Sequence, residues 1–238
     1  CWLGMNCRHS LENVKNRIPG MLEQRNLMIN HEKTEEYQIR REGDEAWKKC
    51  KYLGTLLDTE NDIRRRKGIA NEAMKKIRDI SKDRKLDIGI KIRAFNAYAS
   101  SIFLYNSETW TMNKGTSKAI DSYHRRMMRN AINIRWPQKI SSEELYEKTK
   151  EKPWSETIKT RRLRMFGHVM RLPEETPIRT ALTEYERPMR MPRGARKFTW
   201  QQNIKEDLAS IGLNREAANQ ATQDRKRWRW LINSKSSG

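Results

Sequence analysis

Cysteine is scarce in this sequence: Cys1, Cys7 and Cys50 are all that its 238 residues contain. Three thiols cannot staple a chain of that length, and such usage fits a reducing compartment. No apolar run approaches the roughly 20 residues needed to cross a bilayer, which argues against a membrane protein. No signal-like apolar stretch opens the chain, so the expected location is intracellular, in nucleus and cytoplasm. A phosphate-binding glycine loop, a nucleophile elbow and any Asp-Asp pair are also missing, which leaves the common nucleotide-binding and acyl-transfer motifs unrepresented. The first residue is Cys rather than Met, which predicts a reading frame that begins upstream.

Acidic residues are the last shortage. Against 30 Asp+Glu stand 50 Lys+Arg, a net charge of +20 and a sequence pI of about 10.1. Such an imbalance points to a polyanionic partner. It is unevenly placed. Residues 1–60 hold 10 basic and 10 acidic side chains, residues 61–135 hold 18 and 7, and residues 136–238 hold 22 and 13. The whole excess begins near Ile63. Hydrophobic residues at 36% are enough for a core.

The hydrophobic spacing predicts a mainly α protein with a small α+β portion at its N-terminus. Leu11, Val14, Ile18 and Leu22 recur at helical intervals, and Pro19-Gly20 should weaken that helix near its end. Leu27–Asn30, Glu36–Arg40 and Lys51–Leu57 read as short extended segments. After Asp58 the period is helical throughout. Ala70, Met74, Ile77 and Ile80 mark one face, Ile88, Ile92, Phe95, Ala99 and Ile102 a second, and Ile120, Tyr123, Met127, Ala131 and Ile134 a third. Trp136-Pro137 stops the third. Ser141 with Glu144 offers a helix-capping pair. Further faces carry Leu163, Phe166, Val169 and Met170, then Trp200, Ile204, Leu208 and Ile211, then Ala217, Ala221, Trp228 and Leu231. Expected boundaries are 1–58, 59–135 and 136–238.

Metal-assisted phosphoryl chemistry needs carboxylates converging on cations, commonly two ions about 4 Å apart. The pairs Glu35-Glu36, Asp44-Glu45, Glu143-Glu144, Glu174-Glu175 and Glu206-Asp207 lie in polar helix or turn contexts and read as solvated surface. Cys1, Cys7 and His9 lack zinc-finger spacing, so no metal or other cofactor is assigned to this chain. His124 sits in a basic helix with no nucleophile nearby and reads as packing or phosphate contact. Cations carry the positive signal. The candidate nucleic-acid-binding residues are Arg64, Arg65, Arg66 and Lys67; Arg125, Arg126 and Arg129; Arg161, Arg162, Arg164 and His168; Arg193, Arg196 and Lys197 in an acid-free loop; and Arg225, Arg229 and Trp230. Cation clusters bind phosphates with salt-dependent affinity, and an aromatic among them can stack on a base. Helical spacing places Trp228 in the core and leaves Trp230 as the candidate stacker.

Four stretches resemble one family, the C-terminal part of the reverse transcriptase of LINE-type (non-LTR) retrotransposons. Leu27-Met28-Ile29-Asn30-His31-Glu32-Lys33-Thr34 is similar to the polymerase motif Gly-Leu-x-Ile-Asn-x-x-Lys-Thr. Lys51-Tyr52-Leu53-Gly54 looks like the primer grip. Phe103-Leu104-Tyr105 with Ser107-Glu108-Thr109-Trp110 is similar to a Leu-Leu-Tyr-Gly-x-Glu-Thr-Trp block. Arg161-Arg162-Leu163 with Phe166–Arg171, then Arg193–Trp200 and Asp224–Arg229, resembles the run that follows.

The resemblance implies a palm-like remnant over 1–58, a helical thumb-like region over 59–135 and a basic helical domain over 136–238, with RNA and DNA as partners. Lys33 would match a lysine proposed to protonate departing pyrophosphate, and Tyr52, Leu53 and Gly54 would position the primer end. Magnesium is implied for a full-length RNA-directed DNA polymerase. The catalytic Asp-Asp hairpin of the family should precede Cys1, so this chain alone is expected to be inactive. Asn106 stands where the family carries Gly, and Arg193-Gly194-Ala195-Arg196 where it carries Gly-Arg-Pro-Arg, as in a decayed copy. Two alternatives are a piece of an active polymerase whose upstream part supplies the metals, and a host helical interaction protein in which charge only maintains solubility.

Overall fold

The computed structural model describes residues 8–34, 46–184 and 199–234. Among these the chain is mainly α, and it divides into two compact units, Cys1–Asp62 and Ile63–Gly238. The division falls where the positive excess begins. The expected segment Glu36–Arg40 and the basic loop bearing Arg193, Arg196 and Lys197 lie outside the described residues.

In the first unit, α1 (Arg8–Glu23) contains Pro19 and continues past it to Glu23 rather than weakening there. It closes on Asn26 in the left-handed region (φ 54°), with the Leu27 amide returning to the Leu22 carbonyl at 2.9 Å. Leu27–Asn30 forms no strand and runs into a short 3₁₀ turn, His31–Lys33. The segment Lys51–Leu57 is not one strand but a hairpin. β1 (Lys51–Tyr52) pairs antiparallel with β2 (Thr55–Leu56), Lys51 opposite Leu56 and Tyr52 opposite Thr55. The two turn residues, Leu53 (φ 47°) and Gly54 (φ 79°), both have positive φ, the mirror-type turn whose twist matches that of paired strands. Among the described residues the expected sheet is this hairpin and nothing more.

Helix α2 (Thr59–Lys76) leads out of the first unit, and α3 (Arg78–Lys82) follows it. Next come α4 (Ile88–Phe95), a π-helical turn over Asn96–Ser100, α5 (Ser101–Phe103) and α6 (Lys114–Ala131). The π turn has a packing cause. Phe95, Ala99 and Phe103 are all fully buried, and residues four apart drift by about 40° on a regular α-helix, so a locally wider turn keeps the three on one side. Asn96 closes it, donating to Glu151 Oε1 at 2.6 Å and accepting from Ser100 Oγ at 2.9 Å.

Then follow α7 (Ser142–Thr149), α8 (Trp154–Met170), α9 (Pro177–Glu184), α10 (Trp200–Ser210), α11 (Arg215–Gln223) and α12 (Arg225–Ser234). Ser141 caps α7 as its spacing predicts, accepting from the Glu144 amide at 3.0 Å. Gly212 (φ 72°) ends α10. The last hydrophobic face belongs to two helices, because Asp224 breaks the chain and caps α12 through the Lys226 and Arg227 amides at 2.8 and 3.1 Å.

Two hydrophobic cores fill the second unit. One runs from Ile63 to Ile158 around Phe95, Phe103, Trp110 and Trp154. The other runs from Leu163 to Ile232 around Phe166, Leu208 and Trp228. Helix α8 supplies Trp154 and Ile158 to the first and Leu163, Phe166 and Val169 to the second. No core boundary therefore falls at 135/136; the change of core occurs within one helix. Phe103 and Trp154 stack at 4.4 Å between ring centres, and Phe103 meets Trp110 edge-on at 5.5 Å.

Candidate nucleic-acid interface

The predicted cations divide into those that hold the fold together and those that face outward. Arg66 is 3% exposed, donates to the Ile102 carbonyl at 2.9 Å and lies over the Tyr105 ring. Arg162, also 3% exposed, binds Asp207 Oδ2 at 2.7 Å and the Trp110 carbonyl at 3.1 Å. Arg161 donates to the Leu104 carbonyl. Arg66 and Arg162 point inward, which corrects their placement at a phosphate-binding face, and Arg161 is half-buried. A buried guanidinium persists only with a carboxylate or carbonyls around it, and here the carbonyls belong to the segment 102–110. Asn203 completes that clamp, pairing with both backbone groups of Met112 at 2.8 and 2.6 Å, and Trp200 donates to the Glu108 carbonyl at 2.8 Å.

Arg125 is half-buried beside the Tyr146 and His124 rings. His124 itself is fully buried and stacked on Trp154 at 4.4 Å. Burial first, and the Arg125 charge second, push its pKa down to about 3, so it packs as a neutral ring rather than meeting phosphate. Arg129 donates to the Ile140 carbonyl at 3.2 Å. Lys67 and Arg126 both lie against the Tyr123 ring, at 5.4 and 5.3 Å. Burial, then Arg126, holds the Lys67 ammonium below its usual pKa, so two cations share one small area of surface. Arg64 is exposed and Arg65 half-buried on α2. Lys33 lies in the turn His31–Lys33, its side chain outside the described residues. Tyr52 and Leu53 are exposed on the hairpin, Leu53 at its tip.

The outward group gathers where α8 meets α12. Gly167 of α8 allows the approach: a Cβ there would strike Trp228 Nε1 and stand 2.5 Å from its Cδ1. The same indole donates to the Leu163 carbonyl at 3.1 Å. This seats Trp228 in the core, and with it the neighbouring Trp230 is left 65% exposed, since residues two apart face opposite sides of a helix. A shallow groove of about 410 Å³ is lined by Arg225, Lys226, Arg229, Trp230 and Asn233. Arg164 of α8 reaches Asn233 Oδ1 at 3.2 Å, and His168, one turn further on, is exposed. Arg171 donates to the Thr222 carbonyl at 2.9 Å, and burial, then the Arg225 charge, lowers its pKa. Arg171 and Arg225 are thus close enough to repel.

Sequence reasoning placed Gly167 and Arg171 in the family-like run Phe166–Arg171 but assigned neither to the site. A glycine inside an amphipathic helix costs about 1 kcal/mol against alanine, and that cost was the available signal. Among the described residues no cluster of three or more His, Cys, Asp or Glu side chains could hold a metal ion. No helix among them is long and apolar enough to cross a membrane. No family model, no curated protein and no solved structure matches the chain.

Proposed function

We propose that this chain is a nucleic-acid-gripping module, the C-terminal portion of a LINE-type reverse transcriptase without its catalytic metal site. The observation that carries the proposal is the shallow groove on α12, which Arg225, Lys226 and Arg229 line together with the exposed Trp230. Three of the cations at the start of α12, Arg225, Lys226 and Arg227, occupy the positive end of its helix dipole. The Asp224 carboxylate already offsets that placement through the Lys226 and Arg227 amides, so a phosphate would meet the side-chain cations rather than the helix end. Trp230 supplies the stacking surface that sequence-tolerant binders of unpaired strands use.

Asn106 supports the family reading. It stands where the family block carries Gly and has φ 58°, a backbone region that glycine enters freely and that asparagine tolerates better than most residues. A second reading, in which the chain works as one piece of a larger polymerase, is favoured by the first unit's exposed apolar residues: Leu27 at 53%, Met28 at 94% and Leu53 at 69%.

The test is fluorescence anisotropy of labelled RNA and DNA across a salt series. Tight binding at low salt that weakens steeply as salt rises is expected. Replacing Arg225, Lys226 and Arg229 together by Gln should flatten the logarithmic salt slope by roughly 2–3 units. Absence of binding at low salt, or an unchanged slope in the triple variant, overturns the proposal. Nucleotide incorporation by the purified chain overturns its non-catalytic part.

A further inference from the structure

Trp136 is 87% exposed, more than Trp230 at 65%. It belongs to neither core, and burying a side chain of this size ordinarily contributes a few kcal/mol to folding. The loop that carries it is held at both ends. The Ile134 amide returns to the Arg129 carbonyl at 2.8 Å, Arg129 Nη2 donates to the Ile140 carbonyl at 3.2 Å, and Ile134 and Ile140 pack on the first core. Inside the loop the Gln138 amide closes on the Arg135 carbonyl at 2.8 Å, and Arg135 Nε donates to Asn133 Oδ1 at 3.2 Å. The indole therefore stands on an ordered support, which lowers the entropy lost when it is covered.

The stretch of sequence that carries it holds one sign of charge. Between Asp121 and Glu143 the sequence contains no acid and five basic residues, Arg125, Arg126, Arg129, Arg135 and Lys139. Arg135 and Lys139 flank the tryptophan and are exposed. We propose that Trp136 is a stacking platform for an unpaired base of single-stranded RNA or DNA, with Arg135 and Lys139 on the adjoining phosphates. The proposal rests on the nucleic-acid reading above but on a different element of the fold. An indole has a flat π face that accepts any base, whereas the bases of an intact duplex are already stacked on one another and offer no free face.

The test compares the full chain with Trp136→Ala and Trp136→Phe against a labelled oligothymidylate and a blunt duplex. Trp136→Ala should weaken single-strand binding about five-fold or more, Trp136→Phe should weaken it less, and both should bind duplex within about two-fold of the parent. Single-strand affinity unchanged in Trp136→Ala, with the parent binding both probes, overturns this proposal alone. A parent chain that binds neither probe at low salt overturns the nucleic-acid reading as well. Loss of binding to anionic lipid vesicles in Trp136→Ala, with single-strand binding intact, assigns the residue to a membrane surface and also refutes the proposal. Since Trp136 supports no core, the variants should match the parent in helical circular dichroism.

Discussion

Replacing Gly167 by alanine places a methyl carbon against the Trp228 indole, on Nε1 and within 2.5 Å of Cδ1 and 2.9 Å of Cε2. The indole cannot simply swing aside, because it is 2% exposed and its N–H is bound to the Leu163 carbonyl at 3.1 Å. Overpacking of this kind costs about 1–3 kcal/mol, and the strained or lost hydrogen bond adds about 1 kcal/mol. Against this, alanine gains about 1 kcal/mol over glycine in a helix interior. The net loss is roughly 1–3 kcal/mol, equivalent to about 2–12 °C in Tm for a unit of this size. Urea denaturation followed by circular dichroism reads it. A second background makes the argument sharper. With Trp228→Leu the obstacle is gone, so Gly167→Ala should become neutral or stabilising by up to about 1 kcal/mol. Equal destabilisation in both backgrounds, or none in the parent, would refute the close-approach explanation. Because α12 carries the cationic groove, the single variant should also bind nucleic acid less tightly.

Two further predictions concern buried charge. His124, with neither ring nitrogen hydrogen-bonded, has its pKa pushed from 6.5 to about 3. The unfolded state therefore takes up a proton that the folded state refuses. Its contribution is present above pH 6.5 and is lost as pH falls toward 3, at about 1.4 kcal/mol per pH unit. His124→Phe, which keeps the stack on Trp154, should flatten the acid limb of a stability–pH curve; an unchanged limb contradicts this. Arg162→Met strips Asp207 of its partner and should cost about 3–5 kcal/mol at neutral pH. Burial already raises the Asp207 pKa, and Arg162 opposes that rise. Without the arginine the pKa climbs further, so the deficit should shrink as acid protonates the carboxyl and grow again as pH rises through its folded pKa. A deficit independent of pH would count against that account, and Asp207→Leu added to Arg162→Met should recover much of the loss.

The helical faces were legible because three- and four-residue spacing directly encodes which side of a helix meets the core. Ile92, Phe95, Ile120, Tyr123, Phe166 and Trp228, each placed on an apolar face by spacing, are all buried. Local caps were legible for a similar reason, since Ser141 and the amide it binds are three residues apart. The roles of individual cations were not. Arg161, Arg162 and Arg164 share one short basic run, yet the first two hold the backbone of 104–110 while the third lies at the groove. Basic residues look alike in a sequence, and their partners lie 45 to 69 positions away.

Sequence alone determined that the chain is mainly helical, that its positive excess starts near Ile63 and that Trp228 belongs to the core while Trp230 does not. These follow from composition and helical period, which are properties of neighbouring residues. Tertiary structure decided which arginines are structural, why α8 needs a glycine at 167, and that Asp121 of α6 caps α8 through the Ser155 amide at 2.9 Å. Each of these depends on groups brought together from distant parts of the chain, and a carboxylate or an indole acquires its partner only when the helices have packed.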